Sequence, residues 1–142
     1  MKGIILDTHA FVWAADGETH RFSPDVRLQL QTAMTEDRLF LAAISLWEVA
    51  MLVGKRRIGF GMAAEEWLDQ ALRISGAQVI ALDTATAGLS IRLALHGDPA
   101  DRLIVAAAIT QGHTLCTQDG KILAYASEHP ELRVLPLRGV SE

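Results

Sequence analysis

Four acidic residues stand at positions where their carboxylates could meet in one site. Asp7 and Asp119 each follow a short apolar run, so each lies where a predicted strand ends. Glu48 and Asp101 each come three residues after a predicted helix cap. Strand ends and helix starts share one edge of an open parallel sheet, and ligands collect at that edge. The sequence therefore predicts that these four carboxylates converge.

Convergence of four carboxylates has an electrostatic consequence. Two like charges repel by about 4 kcal/mol at ~4 Å under an effective dielectric constant of ~20. The repulsion must be offset either by raised pKa values, which keep some carboxyls protonated, or by a divalent cation among them. Oxygen ligands without histidine or thiolate favour Mg²⁺ or Mn²⁺ over Zn²⁺.

Each acid also has a structural interpretation of its own. Asp7 can cap a helix, and Asp119 suits a tight turn. Glu48 is the fourth residue of S-L-W-E, the pattern of a capping box. Asp101 stands in the first turn of a predicted helix, where the helix dipole favours an acid. No single acid establishes a reaction, so the prediction of a reactive site depends on the set.

Strand-like runs alternate with helical patterns along the chain, which is typical of a parallel α/β sheet. The runs cover residues 3–6, 39–42, 78–82, 114–117 and 133–135. Ser23 followed by Pro24 predicts a helix start, Pro99 predicts another, and Gly76 predicts a helix end. Asp83 also follows a strand-like run, but nothing else marks its surroundings, so we interpret it as a plain helix cap. The predicted fold is a central parallel β-sheet flanked by α-helices.

Composition limits the class of protein. The 142 residues suit one domain over 1–142 with a self-sufficient core, and 50% hydrophobic with 21% charged residues indicates a globular chain. A net charge of −4 gives no general attraction to nucleic acid, so a polyanionic substrate requires a local basic patch or a bound cation. The single cysteine, Cys116, excludes an internal disulfide. Without a signal sequence or a long apolar run, we expect a cytoplasmic protein with no membrane association.

Four motifs resemble the PIN-domain family, and within it the VapC-type toxins of type II toxin-antitoxin systems. They extend over nearly the whole chain, in the family's order and spacing. The motifs are L-D-T-H-x-F-x-W at Leu6 to Trp13, S-L-W-E at Ser45 to Glu48, H-G-D-P-A-D-R-L-I at His96 to Ile104, and L-x-T-x-D at Leu115 to Asp119.

The resemblance implies a small endoribonuclease that requires Mg²⁺ or Mn²⁺ and hydrolyses RNA phosphodiester bonds with a metal-activated water. It implies three partners: an RNA substrate, a cognate antitoxin protein and a second copy in a homodimer. Asp7 and Asp101 match the likeliest direct metal ligands of the family. Glu48 matches a ligand that binds directly or through water, and Asp119 one that completes the shell or holds a second ion. Asp98 matches a position just behind the ligands.

Several neighbours of the motifs are weaker candidates. Thr8, Ser45 and Thr117 carry hydroxyls beside the acids and could orient a water or a ligand carboxylate, although such residues also cap helices and close turns. His9 and His96 are interpreted as packed residues before catalysts. Trp13, Trp47 and Trp67 are interpreted as core or interface residues before base-stacking platforms.

Basic residues are candidates for contact with RNA or with a partner protein. Lys55, Arg56 and Arg57 form the one dense basic run, and such a run could also be a solvated helix end. Arg102 could contact a phosphate or pair with a neighbouring acid.

Three other interpretations stay open. A receiver-like regulatory domain also gathers acids around magnesium, but it normally has a lysine at a strand end, and no predicted strand here ends in lysine. A non-catalytic PIN-like binding module is the second, because fold does not guarantee function, but loss of an acid would have favoured it and none is lost. A nuclease acting on structured DNA is the third; the lack of an added domain or a long insertion argues for RNA.

Overall fold

The computed structural model describes residues 2–54, 61–95 and 97–139. Within these ranges five strands form one sheet in the order β3-β2-β1-β4-β5, with all pairs parallel, as the alternating pattern predicted. The third strand is shorter than its predicted run, and the fifth begins one residue later. The strands are β1 Ile4–Leu6, β2 Leu39–Ala42, β3 Gln78–Ile80, β4 Thr114–Thr117 and β5 Val134–Pro136.

Helices cover both faces of this sheet. Ser23 and Pro24 begin the helix Pro24–Thr35, Gly76 ends the helix Ala64–Ser75 with a φ of 69°, and Asp83 caps the helix Thr84–Arg92, all as predicted. The described helices are α1 Thr8–Ala15, α2 Pro24–Thr35, α3 Ala43–Gly54, α4 Ala64–Ser75, α5 Thr84–Arg92, α6 Pro99–Gln111 and α7 Gly120–Glu128. A short 3₁₀ helix covers Thr19–Arg21.

Two sequence interpretations are wrong at helix starts. The S-L-W-E segment is not a capping box, because α3 begins at Ala43 directly after β2 and so places Ser45 inside the helix. Asp119 does not close an isolated turn. Its side chain accepts a hydrogen bond from Ile122 N at 3.0 Å and caps α7, a helix that the sequence analysis did not predict.

Two apolar cores lie on opposite sides of the sheet, because successive side chains of a strand point to opposite faces. Leu6 of β1 packs with Phe11 and Trp67 of the surrounding helices, whereas its neighbour Ile5 packs with Ile104 of α6. Strands covered on both faces are apolar throughout, which explains the short continuous apolar runs in the sequence.

Cys116 of β4 belongs to the first core and is wholly buried. Burial raises the pKa of its thiol to about 12, so it remains an unreactive packed thiol. In the described part of the chain, every helix is too short or too polar to cross a membrane.

The strand order determines where a site can form. β1 lies between β2 and β4 in the sheet. The chain adds β2 and β3 on one side of β1 and then crosses to the other side of β1 to add β4 and β5. The carboxyl ends of β1 and β4 therefore form the topological switch point, where open α/β sheets bind ligands. Asp7 N donates a hydrogen bond to Cys116 O at 3.1 Å, which holds the chain leaving β1 against β4.

Candidate active site

A cleft of about 470 Å³ opens at this switch point. All four predicted acids and the fifth candidate line it, so five carboxylates surround one space: Asp7, Glu48, Asp98, Asp101 and Asp119. The rest of the wall is formed by Thr8, His9, Trp13 and Gln118. Residues separated by more than a hundred positions meet here because β1, β4, α3 and α6 present their ends to the same edge.

Asp7 is held at both carboxylate oxygens. Oδ1 accepts a hydrogen bond from Ala10 N at 2.8 Å, which caps α1, and Oδ2 accepts one from the Thr117 hydroxyl. Burial raises the pKa of Asp7 above its ordinary value, against the lowering effect of both hydrogen bonds. The capping interpretation of Asp7 is therefore correct, and it is compatible with a place in the cleft.

Thr117 connects two of the acids. Its side chain is wholly buried, its hydroxyl donates to Asp7, and the same oxygen accepts a hydrogen bond from Asp119 N at 3.0 Å. The hydroxyl thus fixes the end of β1 relative to the start of α7.

Replacing Thr117 by valine tests this connection. The change keeps the volume and removes the hydroxyl, so a buried carboxylate oxygen and a backbone N–H lose their partner, at a cost of about 1–3 kcal/mol in unfolding free energy. Because Asp7 loses its orientation, we expect the activity supported by the cleft to fall about ten-fold or more. Denaturant unfolding and an activity assay measure the two effects.

The control for this variant is Thr86→Val. Thr86 is also buried, and its hydroxyl lies 2.9 Å from that of Thr110, away from the cleft. We expect it to lose stability but not activity. Equal activity losses in the two threonine variants would show that Thr117 acts only through general stability.

Glu48 is positioned from the other side of the cleft. The Thr8 hydroxyl donates a hydrogen bond to Glu48 Oε1 and lies 2.9 Å from the Ser45 hydroxyl, which is wholly buried in α3. Burial is the main cause that raises the pKa of Glu48, and the charges of Asp98 and Asp7 raise it further. All three hydroxyl residues singled out in the sequence are therefore in contact with an acid or with its support.

The remaining two acids of this part of the cleft, Asp98 and Asp101, lie at the start of α6. Asp98 caps this helix, with Oδ1 accepting from Ala100 N at 2.9 Å, as predicted. The pKa of Asp101 is raised to about 6, first by burial and then by the charges of Asp119, Glu48, Asp98 and Asp7. Every other carboxylate of the cleft thus acts on Asp101.

Replacing Asp101 by asparagine should therefore stabilise the metal-free protein at neutral pH. A carboxyl whose pKa is raised in the folded state costs stability as pH increases from about 3.8 through about 6, because the folded chain must release a proton that it holds more tightly than the unfolded chain. Above this pH window, Asp101→Asn should exceed the wild type in unfolding free energy by on the order of 1 kcal/mol, allowing for solvent screening of a half-buried group.

Melting temperatures in EDTA measure this effect. The difference between Asp101→Asn and the wild type should be largest above the window and should shrink towards acid pH. A difference that does not change with pH would refute the electrostatic explanation.

Residues 4–128 of the chain match the model of the PIN domain family. The chain belongs to the PIN domain family. A curated relative, Ribonuclease VapC22 of Mycobacterium tuberculosis, is 33% identical over 131 residues, which cover 92% of this chain and 97% of the relative. The family predicted from the four motifs is thereby confirmed.

Solved structures share the fold of this PIN domain. The DNA-bound VapBC complex of Salmonella typhimurium contains a chain with a TM-score of 0.66 at 20% identity, covering 96% of this chain and 99% of its own. VapBC2 of Rickettsia felis, bound to a DNA fragment from its promoter, gives a TM-score of 0.69 at 18% identity, covering 94% and 97%. At these identities the likeness concerns the fold.

The cleft of this PIN domain offers the oxygen donors that a hard divalent cation prefers. Its five carboxylates offer oxygen ligands, and burial, the largest cause of the raised pKa values of Asp7, Glu48 and Asp101, disfavours their ionised forms. In the ranges that the structure describes, no group of three acidic, histidine or cysteine side chains has the geometry to hold a metal ion by itself.

The basic candidates are not assigned to the cleft by the described residues. Arg102 is half-buried on α6, beside Asp101 in sequence, but it does not line the cleft, and neither ion pair identified within the described ranges includes it. Lys55, Arg56 and Arg57 lie outside the described residues.

The cleft also contains residues that the sequence analysis did not assign to the site. His9 and Trp13 were interpreted as packed residues, yet both line the cleft, and His9 is exposed. The signal was their spacing, because positions four apart share one face of a helix, here α1, whose first residue follows Asp7. Gln118 was overlooked between two predicted site residues, Thr117 and Asp119.

Proposed function

We propose that this PIN domain is a metal-dependent endoribonuclease and the toxin of a toxin-antitoxin pair. The observation that carries the proposal is the convergence of five carboxylates in one cleft at the switch point of the sheet. The relative at 33% identity, which is named a ribonuclease, supports the choice of RNA. It also argues against the non-catalytic and DNA-cutting alternatives.

The acids would bind the cation in different ways, according to their positions in the cleft. Asp7 and Asp101 would bind Mg²⁺ or Mn²⁺ directly, Glu48 directly or through water, and Asp119 would complete the shell or hold a second ion. A cation bound there supplies Lewis acidity and lowers the pKa of an attacking water, so hydrolysis of the phosphodiester bond needs no protein nucleophile.

The chain's own contribution is to hold the acids in place. Thr117 orients Asp7, Thr8 orients Glu48 with Ser45 behind it, and the cap at Asp98 fixes the start of the helix that carries Asp101. Because these side chains are already oriented, less conformational entropy is lost when they bind a cation, and the cation is bound more tightly.

The partners proposed for the chain are RNA, a cognate antitoxin and a second copy in a homodimer. The structural relatives come from VapBC complexes, which supports the antitoxin. Lys55, Arg56, Arg57 and Arg102 are proposed to contact RNA or the antitoxin. We further propose that residues 1–142 are one domain and that the protein works in the cytoplasm.

Parallel expression of the wild type and Asp7→Asn in a bacterium tests the proposal. We expect the wild type alone to arrest growth and to create new RNA 5′-phosphate ends, because hydrolysis by a metal-activated water leaves that end. Sequencing of all 5′-phosphate ends measures the cut sites and identifies the RNA. Identical end profiles would refute RNA cleavage in that host.

A further inference from the structure

A row of three side chains forms one wall of the acidic cleft and extends beyond it. His9 and Trp13 stand one turn apart on α1, with ring centroids 5.6 Å apart and planes inclined by 43°. The guanidinium carbon of Arg21, from the 3₁₀ helix, lies 4.4 Å from the centre of the Trp13 ring. Arg21 Nε also donates a hydrogen bond to Glu18 at 3.3 Å. The guanidinium thus covers part of the Trp13 ring and pairs with Glu18 at the surface.

Trp13 differs from the other tryptophans of the chain. Trp67 is buried at 7% exposure and packs edge-on against Phe11, as a core residue does. Trp47 is 55% exposed on α3 and does not line the cleft. Trp13 is half-buried: it packs against the core beneath α1 and also lines the cleft. Its side chain is therefore supported by the core and borders the cleft, and Arg21 covers part of its ring.

Because the cleft is negatively charged, RNA must be bound in part by groups other than the acids. Five carboxylates repel the phosphates of any RNA that approaches, and a cation held among them would offset this repulsion at the reacting phosphate. Single-stranded nucleic acid is commonly bound by aromatic rings that stack on bases, together with cations that contact the backbone. His9 and Trp13 line the cleft together with the acids, and Arg21 lies on Trp13 beyond the lining residues.

We propose that His9, Trp13 and Arg21 bind an unpaired nucleotide next to the cleaved phosphodiester bond: Arg21 turns from the Trp13 ring to the phosphate, and the base stacks on Trp13 in its place. The inference rests on the proposed ribonuclease function and deepens it. A base can stack on Trp13 only if it is not already stacked within a duplex. The wall therefore selects single-stranded RNA, such as a loop or an open end, at one defined position.

An abasic scan combined with Trp13→Leu tests the proposal. A short single-stranded oligoribonucleotide spanning a cut site mapped for the wild type is prepared with each base deleted in turn. With Mg²⁺ present, we expect one deletion near the cut to raise the KM of the wild type about ten- to a hundred-fold, the range for loss of one stacked base. Trp13→Leu should raise KM for the unmodified RNA by a similar factor, with little change in kcat.

The decisive result is the coupling between the two changes. Trp13→Leu should be insensitive to the deletion at that one position and as sensitive as the wild type at all others, which a purely structural role of Trp13 would not produce. Trp13→Phe keeps an aromatic plane and should restore most of the affinity. Arg21→Gln, at a side chain 42% exposed, should raise KM about two- to five-fold.

Trp47→Leu is the matched control, since it removes a tryptophan from an exposed position away from the cleft, and it should leave KM unchanged. If the wild type cleaves RNA and the effects of Trp13→Leu and of every deletion simply multiply, the stacking wall is refuted while the nuclease stands. If the wild type cleaves no RNA, the nuclease and the wall fall together.

Discussion

Asp7→Asn is expected to reduce RNA cleavage by about a hundred- to a thousand-fold, the effect of removing one electrostatic group from a catalytic site. Asparagine retains an oxygen for the hydrogen bond from Ala10 N, so α1 keeps its cap. The change removes a charge that is buried and unfavourable, as the raised pKa of Asp7 shows. The variant should therefore be as stable as the wild type or more stable. Cleavage rates of purified proteins and melting temperatures in EDTA measure both parts of the prediction.

Asp83→Asn is a matched control for this variant. Asp83 also follows a strand region and caps a helix, with Oδ1 accepting from Thr86 N at 2.8 Å, but it is exposed and lies outside the cleft. Its hydrogen bonds to Thr86 lower its pKa, so the ionised form is favoured in the folded state. Asp83→Asn should keep full activity and lose a little stability. Metal-dependent cleavage retained by both Asp7→Asn and Asp101→Asn would refute the site.

The acids could be predicted from sequence because two rules of the fold act on them together. Alternating strand and helix patterns predict a parallel sheet, and a parallel sheet brings its strand ends to one edge. Asp7 and Asp119 follow strands, so their convergence needed no knowledge of side-chain contacts. The raised pKa of Asp101, caused by burial and by four neighbouring carboxylates, is the electrostatic strain expected from that convergence.

Helix starts were harder to predict where strand and helix join without a break. β2 passes directly into α3, and both are apolar there, so no change of periodicity marks the boundary that S-L-W-E was taken to show. α7 was missed because Asp119 followed by Gly120 has the composition of a turn. The buried pair Ile122 and Tyr125, three residues apart, was the signal for a helix.

The aromatic wall could not be predicted from sequence for a different reason. A helical pattern shows which residues share a face, but it does not show whether that face borders solvent, core or a cleft. His9 and Trp13 share a face of α1, and only the position of α1 relative to β4 and α6 makes that face a wall of the site. Arg21 reaches Trp13 from a separate 3₁₀ helix, with no sequence pattern that connects them.

Removal of divalent cations is expected to abolish cleavage, and Mg²⁺ or Mn²⁺ should restore it. Five carboxylates line the cleft, so without a cation the phosphate of the substrate meets only negative charge there. The same cation should stabilise the fold, by about 2.7 kcal/mol at a free concentration a hundred times its dissociation constant. Cleavage assays and melting curves, each with EDTA and with added metal, measure the two effects.

The pH dependence of this stabilisation identifies the site that binds the metal. Because the pKa of Asp101 is about 6, a proton competes with the cation below that pH, so binding should strengthen as pH rises through this value. We expect the melting temperature shift caused by Mn²⁺ to be small near about pH 5 and large near about pH 8 in the wild type and in Asp83→Asn, and lost at both in Asp101→Asn. An equal shift in Asp101→Asn would place the ion elsewhere. A shift in the wild type without any cleavage of RNA would instead leave a metal-binding PIN domain whose substrate is not RNA.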